Sequence, residues 1–132
     1  MAYNKSEKFL NNIEKVKSDH IPTGINQIYW NEFATNSGKK ESSLLQYKSA
    51  VNRFTTYIDK DSLEVSVSDI TNYLETVKEG KTRENAERYI KSFLTYTITN
   101  NIEKAVNITS ADTILSLVPT EYKNLIKILM MK

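Results

Sequence analysis

Lys81, Thr82 and Arg83 follow directly on Gly80, and at the start of a helix that order makes an anion site. The first N–H groups of a helix have no partner within it and carry partial positive charge, so they attract phosphate oxygens. A lysine and an arginine on either side of a hydroxyl reinforce the attraction. The chain's other arginines are Arg53 and Arg88. Other chemistry is missing from the sequence. His20 is the single histidine and stands beside Pro22, where a solvated or capping role is expected rather than a metal or catalytic one. No cysteine is present, which excludes disulfides and thiolate metal sites. Nothing resembles a Gly-rich phosphate loop, a metal-ligand cluster or a nucleophile elbow. The chain is therefore expected to use no cofactor and no metal, and not to be an enzyme.

The whole composition sets further bounds. With 132 residues, 39% of them hydrophobic and 26% charged, there is material for one soluble domain, with or without a helical extension. The formal net charge is +2, and the charges between Lys39 and Asn101 nearly balance. Many nucleic-acid-binding domains are more basic, because phosphate neutralisation supplies much of their affinity; a basic face here must come from uneven distribution. No run approaches the ~18–20 apolar residues of a membrane span, and the N-terminus lacks a signal-peptide core. No membrane partner is expected, and a cytoplasmic location is the default.

The elements that must position Lys81–Arg83 lie between Glu41 and Asn101. Leu44, Tyr47, Val51, Phe54 and Ile58 recur at alternating spacings of three and four, which places them on one stripe of a helix over 41–58. Ile70, Tyr73, Leu74 and Val77 repeat the pattern over 67–78. Ser66 and Asp69 form a capping-box pair at that helix's start. A third helix over 83–99 buries Ala86, Tyr89, Ile90, Phe93 and Ile98, with Thr82 available as its N-cap. Leu63 and Val65 are expected to tuck back to the core between the first two. Upstream, Phe9, Leu10, Ile13 and Val16 mark an amphipathic helix over 5–18, which Ile21-Pro22 interrupts. A second N-terminal helix carries the stripe Ile25, Ile28, Tyr29 and Phe33, with Trp30 off its centre, either core edge or contact surface. Asn36 to Lys40 reads as a loop, with Gly38 ending that helix. Downstream, residues 102–106 continue or end the third helix, Ser110 caps a short helix through Leu117, and Pro119 opens a last one over 120–131.

The central run resembles the core-binding domain of tyrosine recombinases, the SAM-like helical module of phage integrases. The residues that carry the likeness are Ser43-Leu-Leu-Gln-Tyr47-Lys48, Phe54 and Tyr57, Asp69-Ile70-Thr71 with Tyr73-Leu74, and Lys81-Thr82-Arg83 with Tyr89, Phe93 and Tyr96. In that family the module grips one face of DNA while a separate domain cuts and rejoins strands. Carried over, the resemblance implies DNA contacts from Ser43, Gln46 and Lys48 on the first helix and from Lys81, Thr82, Arg83 and Asn85 on the third. Arg53 and Arg88 are added in second rank. Lys39 and Lys40 correspond to the basic segment that leads into the family's module. Arg and Gln side chains suit base edges in the major groove, Lys and Thr suit phosphate. The alternative is that Glu84 and Glu87 pair with Arg83 and Arg88 on a solvated helix face. The chain departs from the family after Asn101. About thirty residues follow, with no histidine–arginine box and only the isolated Tyr122, so the catalytic half is expected to be lacking.

The expected organisation is all-α, a bundle of about five to seven short helices: a helical pair over 1–38, a core-binding-like unit over 39–105 and a helical extension over 106–132. The last helix is apolar on more than one face, so it packs on the chain's own core or meets a partner. Trp30, Leu125, Ile128, Leu129 and Met130 are the candidates for that partner surface, which would also serve self-association. The expected function is that of a non-catalytic DNA-binding or accessory protein of a phage or mobile element, with double-stranded DNA as partner, modulating recombination or transcription. The competing expectation is a protein-interaction module that binds a recombinase, a repressor or itself without touching DNA. A fragment of a longer recombinase is a third reading.

Overall fold

The computed structural model describes residues 24–130. Within them the fold is all-α, seven helices and no strand. The helices are α1 (Ile25–Asn36), α2 (Glu41–Ile58), α3 (Val67–Glu75), α4 (Lys81–Asn100), α5 (Ile102–Ile108), α6 (Ala111–Leu117) and α7 (Lys123–Met130), with 3-10 turns at Ser62–Glu64 and Thr120–Tyr122. The helix expected over 5–18, His20, Pro22, the side chain of Met130 and all of Met131 lie outside the described residues.

α4 is the spine, with α2 packed along it and α1, α3 and α6 against it. Val51, Phe54, Ile90, Phe93, Leu94 and Ile98 are fully buried between these elements, and Leu63 and Val65 close one end as expected. The same buried cluster takes in Tyr29, Trp30 and Phe33 from α1, Ile114 and Leu117 from α6 and Ile126 from α7. Buried side chains on both sides of Gly38 and of Ala105 thus belong to one core.

Trp30 corrects the expectation of a contact surface. It is 0% exposed, with its ring centroid 5.6 Å from Phe33 and 6.3 Å from Phe93. The outward residue is Ile28, 53% exposed, which belonged to the expected stripe. The buried face of α1 is Asn26, Tyr29, Trp30 and Phe33. Asn26 sets that rotation: its amide donates to the Lys60 carbonyl (2.8 Å), while its Oδ1 accepts from the Ser62 N–H (2.8 Å) and hydroxyl (2.7 Å). A buried amide needs such partners, and they lie at the 3-10 turn, so α1 turns Asn26 there and brings Trp30 inward with it.

Helix ends follow the local chemistry. At α3, Ser66 Oγ accepts from the Asp69 N–H (3.1 Å) and Asp69 Oδ2 accepts from the Ser66 N–H (3.0 Å), the expected capping box. Ser110 caps α6 as expected. α3 ends at Glu75, earlier than the expected Lys78: the Thr76 and Val77 N–H groups bond the Tyr73 (2.9 Å) and Leu74 (3.0 Å) carbonyls three residues back, so the last turn tightens, and the Thr76 hydroxyl adds a bond to the Tyr73 carbonyl (2.6 Å). α4 begins at Lys81, so Thr82 is not its N-cap. Gly80 is, at φ 101°, a conformation open to glycine at little cost. Asn101, at φ −130°, separates α4 from α5. Pro119 leads into the 3-10 turn, and α7 starts later than expected.

Two polar clusters tie the elements together and predict the pH response. Burial pushes the Asp69 carboxyl up, but hydrogen bonds from Lys60 and Ser66 and the Lys60 charge outweigh it and hold the group below its ordinary 3.8; the Lys60 ammonium is 2.7 Å away. A carboxyl whose folded value is depressed contributes stability above its unfolded value, and that contribution disappears as pH falls through the folded one. The melting temperature should therefore drop below about pH 4, and Asp69→Asn should flatten that drop when melting is followed between neutral and acid pH. An unchanged acid limb in the variant would remove Asp69 from the account. On the other side, Lys104 donates to the Tyr29 hydroxyl (2.9 Å) and lies 3.5 Å from Asp61. Burial raises Tyr29 above 10.0, and the bond to Tyr29 raises Lys104 above 10.5. Both contributions persist below those ordinary values and are lost in stronger alkali.

Candidate nucleic-acid interface

α2 and α4 leave a surface groove between them, closed at one end by α3. Its floor is Ala50, Ala86, Val77 and the ring of Tyr73; its walls carry Gln46, Ser49 and Arg53 from α2 and Thr82, Asn85 and Tyr89 from α4. The groove encloses about 320 Å³ and no carboxylate lines it. It gathers Gln46, Arg53, Thr82 and Asn85 out of the residues expected to meet DNA. The spacing explains the gathering: 46, 49, 50 and 53 share one face of a helix, as do 82, 85, 86 and 89.

Arg53 is exposed and enters no ion pair among the described residues. Burial raises the Tyr73 hydroxyl above its ordinary 10.0, and the Arg53 charge partly offsets the rise, which is the field of a cation close to the groove floor. Beside the groove, Arg88 stands 5.1 Å over the Tyr89 ring and its Nη2 donates to the Tyr89 hydroxyl (3.4 Å). Tyr89 packs on Tyr47 with ring centroids 4.6 Å apart, and the Lys39 ammonium lies 5.0 Å over the Tyr47 ring. Stacked cations of this kind keep their charge at the surface while their stems are held. The contacts run from Lys39 through the buried Tyr47 ring to Tyr89 and Arg88, and of the four Tyr89 lines the groove.

The remaining expected contacts fall elsewhere. Lys40 is exposed at the start of α2, Ser43 is half-buried in its first turn, and Lys81 is exposed 4.0 Å from Glu84. Lys48 is only 7% exposed, which corrects its assignment to the DNA-facing surface: it lies one turn beyond Leu44 on the packed stripe of α2. Arg83 is corrected too. Its Nε and Nη2 donate to the Val77 carbonyl at 3.1 and 2.8 Å, and Nη2 reaches the Glu75 carbonyl at 3.5 Å. The Glu75 carbonyl closes α3 and the Val77 carbonyl lies just beyond it, where the helix supplies no further N–H, so a guanidinium is a strong donor for them. The pairings expected for the acids differ as well: Glu87 bonds Lys91 (2.8 Å) and Glu84 is nearest Lys81. Arg83→Ala should cost about 1–2 kcal/mol in denaturant unfolding with duplex affinity unchanged; a loss of affinity at unchanged stability would restore Arg83 as a contact.

Comparison with family models, with curated proteins and with solved structures finds no match. Among the described residues no group of acids and histidine is placed to hold a metal, and no helix is long and apolar enough to cross a membrane.

The groove residues outside the expected contacts include two tyrosines. Tyr73 and Tyr89 read as core positions because their rings fall on apolar stripes. A tyrosine on a stripe can still end at the surface, since its ring is apolar and its tip polar; Tyr89 is half-buried in this way. The expected partner surface also divides. Leu125 and Ile128 are 45% and 58% exposed and Leu129 is half-buried, while Ile126 is the residue that anchors α7 in the core.

Proposed function

We propose that this chain is a non-catalytic DNA-binding protein that meets the duplex with α2, α4 and the groove between them, in a cytoplasmic setting. The observation that carries this reading is the groove itself. Donor-bearing side chains from two helices, Arg53, Gln46, Thr82 and Asn85, converge there without a lining carboxylate. DNA offers acceptors on its phosphates and on most of its major-groove edge, so a carboxylate-free set of donors suits it. Lys39, Lys40, Lys81 and Arg88 then serve the flanking backbone. Such a protein acts as an accessory factor in recombination or transcription of a phage or mobile element, the setting that the resemblance implies.

Fluorescence anisotropy with a random-sequence duplex across a salt titration tests the reading. If about six phosphates are neutralised, log K falls against log salt with a slope of about −5. Absence of binding at low salt by well-folded protein would overturn it. A second reading, a module that binds a protein partner or a second copy through α7, is favoured by one observation, the exposure of Leu125 and Ile128. Under that reading Leu125→Asp abolishes association in light scattering or pull-down and leaves the melting temperature nearly unchanged.

A further inference from the structure

Gln46 stands at the groove wall with its amide tied to Tyr89: the Tyr89 hydroxyl donates to Gln46 Oε1. The phenol is itself held from the other side by Arg88 Nη2. A guanidinium only donates, so the Tyr89 oxygen accepts from Arg88, and its single proton goes to the glutamine carbonyl. The Tyr89 ring is further fixed by packing on Tyr47. One end of the Gln46 amide is thereby occupied, and what it offers outward is its pair of N–H protons.

Resting on the DNA reading above, we propose that Tyr89 is a positioning residue that fixes Gln46 as a hydrogen-bond donor, so that this groove selects acceptor groups on the duplex. A free glutamine recognises adenine by donating to N7 and accepting from the N6 amino group together. Gln46, with one of its two carbonyl lone pairs taken by Tyr89, is held in one orientation and biased towards acceptors. Arg53, also lining the groove, is donor-only and matches it. Acceptors of that kind on DNA are the phosphodiester oxygens, the N7 of either purine, thymine O4 and guanine O6, and guanine alone presents two of them side by side.

The test uses the full chain and two probes, a duplex of A·T pairs only and one of G·C pairs only, with Gln46→Ala, Gln46→Glu, Tyr89→Phe and the double variant Gln46→Ala/Tyr89→Phe. Thermal unfolding establishes that each is folded. Gln46→Glu should weaken binding about tenfold or more, because it places acceptors against acceptors, and Tyr89→Phe about three- to tenfold. In the Gln46→Ala background Tyr89→Phe should have no further effect, since Tyr89 acts through Gln46. Equal losses on both duplexes identify an acceptor that both share, phosphate or purine N7, and losses confined to one duplex identify guanine O6 or thymine O4. A Tyr89→Phe effect that survives in the Gln46→Ala background overturns the inference. So does unchanged binding by Gln46→Ala and Tyr89→Phe while Arg53→Glu weakens it, an outcome that leaves the DNA reading standing. Failure of the unaltered protein to bind either duplex removes both.

Discussion

Trp30→Ala will destabilise this protein by about 3–5 kcal/mol, the usual cost of emptying a large buried aromatic site, and lower its melting temperature by at least ~10 °C for a domain of this size. The side chain is fully buried between Phe33 and Phe93, so its removal leaves a cavity where three helices' worth of packing meets: α1, α4 and, through the Phe33–Tyr47 contact at 5.5 Å, α2. Trp30→Phe should cost much less. It keeps most of the ring contact and removes an indole N–H that is buried without a hydrogen-bond partner, a group whose desolvation is itself unfavourable. Calorimetry or denaturant unfolding of both variants reads the difference. A contact surface at Trp30 predicts the reverse, near-neutral stability with loss of partner binding, and equal melting temperatures for Trp30→Ala and the unaltered protein would require that view.

Arg53→Glu combined with Arg88→Glu should reduce duplex affinity roughly 100-fold or more at low salt, taking about 1.4 kcal/mol or more per charged contact. The salt slope should become shallower by about two. Arg53 lines the groove and Arg88 lies over the Tyr89 ring beside it. Both side chains are exposed, so the reversal spares the core and the melting temperature should move little. That separates binding from folding in a way that Arg83→Glu does not, since Arg83 holds the carbonyls after α3. Full binding by the double variant would move the interface off the groove and give weight to α7.

Much of this molecule can be read residue by residue before its shape is known. Helix periodicity places α2 and most of α4, because a buried stripe must recur every three to four residues whichever neighbour covers it. The Ser66–Asp69 box and the Ser110 cap are equally legible, since a cap is a bond between residues three apart in the chain. Helix spacing also puts Gln46 with Arg53, and Thr82 with Asn85, on one face of α2 and of α4, and the four converge on one groove.

Which face of each helix is covered, and which charged side chain is already engaged, is decided between elements distant in sequence. Trp30 turns inward because Asn26 finds its partners at Lys60 and Ser62. Lys48 is buried because its position on α2 faces the packed side. Arg83 looks like the strongest phosphate ligand in the chain until α3 is seen to end where its guanidinium can reach the Val77 carbonyl. Tyr89 reads as core until Gln46, on another helix, is seen to accept its proton. The sequence alone determined the all-α class, the helix periods and caps, and a composition without thiols or a metal motif, because those depend on residue types and short spacings. Only the tertiary structure decided which cations remain at the surface and where donors converge, because a hydrogen bond or a buried face depends on a partner whose position only the packed chain supplies.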